Sequence, residues 1–168
     1  MPRILLPSDG SASSIHAVRH VVDEFNKRHD LEIHVINVQR PFSAYLGRFI
    51  SHQDKAEFYQ EQASAALLPV RQALDLAGTP YAVHTETGDK AACIAAAALR
   101  LGCNRIVMGT SRRSALLRWV ECSVTNQVIE RASVPVELIP GDAVPMLERV
   151  AVPAGLIAGL ALLLAAVE

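Results

Sequence analysis

The stretch that most limits what this chain can fold into runs from Asn104 to Pro140, NRIVMGTSRRSALLRWVECSVTNQVIERASVPVELIP. Arg105–Gly109 is a short apolar run ending in glycine, which reads as a buried strand followed by a turn. Ser123 can cap the helix that SVTNQVIERA spells, and VPVELIP then reads as a strand closed by Pro140. A strand, a glycine break, a helix start and a second strand, in that order, describe a phosphate-facing loop in an α/β sheet.

The same alternation extends through the chain. Pattern places strands near Arg3–Pro7, Glu32–Val38, Tyr81–Glu86, Arg105–Gly109 and Val134–Ile139. Helices are expected near Ser13–Lys27, Lys55–Ala77, Lys90–Leu101 and Ser123–Ala132. Short apolar strands separated by amphipathic helices imply right-handed crossovers and a parallel sheet covered on both faces, hence a three-layer α/β sandwich. Ser11, Ser13 or Ser14 can cap the first helix, Gly78 before Thr-Pro ends the second, and Pro69 is expected to kink it.

With 168 residues the chain has one domain's length and can bury a core without staples. Its 16 basic and 17 acidic residues leave a formal charge of −1, and no basic run is interleaved with aromatics, so nucleic acid is not an expected partner. Cys93, Cys103 and Cys122 lack CxxC spacing, and RILLP is a strand-length run and not a leader, so a reducing, cytoplasmic setting is expected.

The hydrophobic fraction of 51% is raised by the tail. Gly141–Arg149 reads as a linker, and Val150–Val167 is apolar throughout, near the lower end of the roughly 17–25 residues that span a bilayer. Gly155 and Gly159 in that run would allow two helices to approach closely. A membrane anchor, a helix packed on the protein's own surface and a disordered apolar tail all remain open for residues 150–168.

RILLPSDGSASSIHAVRHV, TETGDKAACIAAAALRLGCNRIVMGT and the Asn104–Pro140 segment, taken in order, resemble the universal stress protein family over residues 1–140. The resemblance implies a five-stranded parallel sheet in the order 3-2-1-4-5, a Rossmann-like fold of the adenine nucleotide alpha hydrolase type. It implies a homodimer paired through Val134–Ile139, and ATP with Mg in a crevice between strands one and four, where strand order reverses. The implied cofactor-binding positions are Pro7, Asp9, Val38, Met108, Gly109, Arg112, Ser123, Val124 and Thr125.

Nucleotide-binding members carry Gly-x-x-Gly, nine residues, then Gly-Ser or Gly-Thr, and here Gly109, Arg112, Cys122 and Ser123 occupy those positions. Glycine admits backbone N–H groups close to phosphate oxygens; arginine and cysteine do not. The expectation is therefore weak or lost ATP binding in a stress-response regulatory protein, with an adenine-nucleotide switch and a tail-tethered interaction module as alternatives. Arg112, Arg113 and Arg118 either grip phosphate through guanidinium groups or form a solvated loop.

Other residues leave alternatives open. Asp9 either contacts a nucleoside or caps the loop into the first helix, and Val38 either presents its backbone to adenine or is a buried strand residue. His16 and His20 stand four apart, but no third ligand lies beside them, and Cys122 ahead of a helix is either redox-sensitive or buried. Phe42, Tyr45, Phe49, Phe58 and Tyr59 form a lid, a partner surface, or core under a long loop. No Gly-x-Ser-x-Gly elbow, Walker lysine or GxGxxG helix start is present, so no set of catalytic groups can be assembled.

Overall fold

The structure, a computed structural model, describes residues 1–43, 45, 49–110 and 124–141. Strand β1 (Arg3–Pro7) leads into helix α1 (Ala12–Arg28), then β2 (Glu32–Gln39), α2 (His52–Leu76), β3 (Tyr81–Thr87), α3 (Lys90–Arg100) and β4 (Arg105–Thr110). Helix α4 is described over residues 124–131, and β5 (Val136–Pro140) closes the sheet. All pairings are parallel, and the strand order is β3-β2-β1-β4-β5.

Alternation along the central strands assigns each face of the sheet to a pair of helices. Ile4, Leu6, Ile33, Val35 and Val107 point to one side, where Val18 and Val21 of α1 and Leu67, Val70 and Leu74 of α2 cover them. Leu5, Ile36, Ile106 and Met108 point to the other, under Ile94, Ala97 and Ala98 of α3 and Val128 of α4. Each fully buried branched side chain contributes roughly 1.5–3 kcal/mol of transfer free energy, which opposes the conformational entropy lost in ordering the sheet.

The helix ends are fixed by side chains and glycines. Ser11 is the N-cap of α1, its Oγ accepting the Ser14 N–H at 3.3 Å, and Ser51 caps α2 by accepting from the Asp54 N–H at 3.1 Å. That second cap starts α2 three residues ahead of the expected Lys55. Helix α2 continues through Pro69. Gly78 follows its C-cap at φ +61°, with the Gly78 and Thr79 N–H groups returning to the Asp75 and Leu74 carbonyls.

Strand β5 begins at Val136 and not at the expected Val134, because Pro135 has no N–H to donate; its carbonyl accepts the Ile106 N–H at 3.0 Å. The Gly141 N–H bonds the Thr110 carbonyl at 2.8 Å, carrying the chain one residue past the strand. No helix among the described residues is long and apolar enough to cross a membrane. The expected linker beyond Gly141 and the apolar run 150–168 lie outside the described residues.

Candidate functional site

Strand order reverses beside β1: the chain leaves it for β2 on one side and later crosses to β4 on the other. The loops at the carboxyl ends of β1 and β4 therefore diverge, and ligands of open parallel sheets occupy the gap so formed. A cleft of about 450 Å³ lies there. Pro7, Asp9, Val38, Met108, Gly109, Val124 and Thr125, all expected from sequence, line it together. Arg112 and Ser123, with Arg113, Arg118 and Cys122, lie outside the described residues.

A chain of buried polar contacts sets the shape of the β1 loop. The Asn37 amide donates to the Ser8 carbonyl at 2.7 Å, the Ser8 N–H donates to the Ile36 carbonyl at 2.9 Å, and Gln39 donates to the Asn37 side-chain oxygen at 2.9 Å. Ser8 Oγ meets Ser14 Oγ at 3.1 Å, tying the loop to α1. Gly10 takes φ +78° and passes so close to α2 that a Cβ there would stand 2.6 Å from the Ala66 carbonyl oxygen. The loop is held on both sides, and Asp9 projects from it into solvent at the cleft.

Of the two roles that its sequence position allowed, Asp9 performs the capping one, and it also lies at the cleft. One carboxylate oxygen, Oδ1, accepts the Ser11 N–H at 3.0 Å and stabilises the turn into α1. The carboxylate also faces the cleft, where its remaining lone pairs can accept from hydroxyl groups.

Gly109 has a structural duty that sequence reading did not find. A Cβ at this position would lie 1.7 Å from the Ser13 carbonyl oxygen and 3.0 Å from the Ser14 N. The space that glycine leaves open at the end of β4 is filled by the first turn of α1, while Gly109 also lines the cleft. Of the phosphate-loop positions, Gly109 lines the cleft together with Val124 and Thr125 at the described start of α4, which can offer N–H and hydroxyl donors.

The rest of the lining shows what sequence reading missed. Ile94 and Leu138 add apolar wall, Ser13, Thr110 and Asn126 add polar groups, and Arg40 and Lys90 supply positive charge. Arg40 and Lys90 were available from the rule that located Asp9, since Arg40 directly follows β2 and Lys90 begins the helix after β3. Next to Lys90, Asp89 caps α3 by accepting the Ala92 N–H at 2.9 Å. That backbone bond, followed by the charges of Arg131 and Arg40, holds its carboxyl below the usual carboxylate range.

The remaining candidates resolve as follows. His20 Nε2 lies 3.0 Å from Glu137 Oε1 on β5, and no group of three His, Cys, Asp or Glu side chains among the described residues is arranged to hold a metal. Phe49 and Phe58 are 74% and 43% exposed, which removes the core alternative for the aromatic cluster. Phe42 packs between Phe58 and Tyr59, with ring centroids 5.1 and 5.2 Å away, and its N–H donates to the Tyr59 hydroxyl at 2.8 Å.

Comparison with known proteins supports the same architecture. The model of the universal stress protein family matches residues 1–140. A universal stress protein of Methanocaldococcus jannaschii is 30% identical over 141 residues, covering 82% of this chain and 81% of the relative. Among solved structures, a universal stress protein family protein from Arabidopsis thaliana with AMP bound superposes with a TM-score of 0.62 at 18% identity, over 85% of this chain and 94% of that one. A universal stress protein in complex with cAMP gives 0.63 at 17% identity, over 84% of this chain and 98% of that one. With the family model spanning the whole sheet and the strand order matching, this chain belongs to the universal stress protein family.

Proposed function

We propose that this protein is a non-catalytic, nucleotide-responsive regulator of the stress-protein type, which binds adenosine monophosphates in the cleft and binds ATP with Mg weakly or not at all. The observation that carries the reading is the convergence of Asp9, Val38, Met108 and Thr125 from four separate chain segments on one cleft at the sheet's reversal point. An apolar wall with a few convergent polar groups is what a nucleoside requires: a flat base lies against Val38, Ile94 and Met108, and ribose hydroxyls donate to Asp9.

Two further facts support it. Structural neighbours of the same fold were solved with AMP and with cAMP. Arginine and cysteine replace glycine at positions 112 and 122, and neither lets a triphosphate approach the backbone as glycine does. Unfolding of the full chain monitored by fluorescence tests the reading: at about one hundred times its Kd, AMP should stabilise the fold by about 2.7 kcal/mol. ATP with Mg should raise the midpoint less than AMP at equal concentration. A larger upward shift with Mg-ATP than with AMP counts against the proposed ligand preference.

A further inference from the structure

Strand β2 turns Ile33 and Val35 toward α1 and α2, and alternation puts position 37 on the same face. The residue there is Asn37, only 4% exposed. A buried amide is costly unless its groups are hydrogen-bonded, and an apolar side chain would have continued the pattern of the strand. The bonds that Asn37 makes give the reason for its place. Its Nδ2 donates to the Ser8 carbonyl at 2.7 Å, and its Oδ1 accepts from Gln39 Nε2 at 2.9 Å.

We infer that Asn37 is a positioning residue for the cleft: it acts through the Ser8–Asp9 peptide to hold the Asp9 carboxylate where ribose hydroxyls can reach it. The inference rests on the nucleotide reading of the cleft, and it names a residue outside the cleft lining that governs one contact of that ligand. A peptide group is planar, so the Ser8 carbonyl that Asn37 grips and the Asp9 N–H turn as one unit. Fixing that plane fixes the direction in which Asp9 leaves the loop. The Ser11 N–H, 3.0 Å from Asp9 Oδ1, then orients the carboxylate.

The amide has one workable orientation. The Ser8 carbonyl can only accept, so Nδ2 must face it, which leaves Oδ1 for Gln39. Gln39 is anchored in turn, its carbonyl accepting the Gly88 N–H at 2.9 Å where β3 turns toward α3. The Ser8 N–H is held by the Ile36 carbonyl, and Gly10 lies against Ala66 of α2, so the Ser8–Asp9 peptide is the part of the loop left to Asn37. Ser8 is itself buried, and a carbonyl deprived of the amide would have to turn toward water, carrying Asp9 with it.

Calorimetry of the full chain with AMP and with dideoxy-AMP, which lacks both ribose hydroxyls, tests the role. The variants are Asn37→Leu, which keeps the volume, Asn37→Asp, which keeps the acceptor for Gln39 and removes the donor, and Gln39→Ala at a half-buried position that tolerates truncation. Circular dichroism confirms that each is folded. The wild type should prefer AMP to dideoxy-AMP. Both Asn37 variants should lose about fivefold to tenfold in AMP affinity with dideoxy-AMP affinity unchanged, and Gln39→Ala about twofold to threefold in the same direction. If neither Asn37 variant folds, the Gln39→Ala ratio decides. Folded variants that keep the wild-type ratio, whether the two affinities stand or fall together, overturn the positioning role and leave the nucleotide reading intact. A wild type that binds the two ligands alike removes the ribose contact at Asp9 and the role of Asn37 with it. A wild type that binds neither overturns the nucleotide reading as well.

Discussion

At the scale of single residues, the two glycines near the cleft show how one residue type can answer to different constraints. Gly10 needs a positive φ and contact with α2, whereas Gly109 needs only the absence of a side chain, because the Ser13 carbonyl occupies the space. Substituting Gly109 with alanine forces β4 and α1 apart. It should lower stability by at least roughly 1–3 kcal/mol in urea denaturation, whether or not nucleotide is present. A neutral Gly109→Ala would remove the packing account of this position. Asp9 was legible from the sequence because it directly follows an apolar strand. The packing duty of Gly109 was not, since it depends on a helix turn almost one hundred residues earlier in the chain.

Among the elements, strand and helix periodicity located every strand and helix now described, and the differences came from local chemistry that the apolar pattern does not carry. Ser51 capped α2 earlier than its apolar periodicity suggested, and Pro135 delayed β5 because a proline cannot donate to the ladder. A cross-strand pair was also invisible to periodicity: His34 Nδ1 on β2 meets His84 Nε2 on the edge strand β3 at 3.1 Å, and His34 Nε2 meets Glu32 Oε1 at 3.1 Å. Burial, followed by the charges of His34 and Arg100, pushes the His84 imidazole below its ordinary value of 6.5, with Glu86 opposing.

A base whose folded pKa is depressed takes up its proton more readily in the unfolded chain. Its contribution to stability is therefore retained above the unfolded pKa and is lost as pH falls below about 6.5 toward the folded pKa. Thermal melts of the wild type and His84→Gln, compared between about pH 7.5 and pH 5.5, should show the wild type losing more stability on acidification. Parallel loss in the two proteins would mean that His84 does not titrate in this way.

For the molecule as a whole, the arrangement separates two surfaces. The cleft opens at the carboxyl ends of the central strands, while β5 lies at one edge of the sheet and pairs only with β4 among the described residues. An unpaired edge is a template for another strand. We expect a two-fold dimer through residues 136–140, with sedimentation equilibrium giving twice the chain mass; a monomer mass at high concentration would contradict it. The edge position of β5 followed from the family resemblance and not from hydrophobic pattern, because strand order is set by crossovers that no local window of sequence records.

The central claim is that the cleft at the reversal of the sheet is a nucleotide site organised around Asp9. Calorimetric titration of AMP into the full chain, alongside Asp9→Ala, tests it most directly. Binding at one site per chain, weakened at least about tenfold in a folded Asp9→Ala variant, is the result this account predicts. An Asp9→Ala variant that binds AMP as tightly as the wild type, or a wild type with no detectable heat of binding, would contradict it.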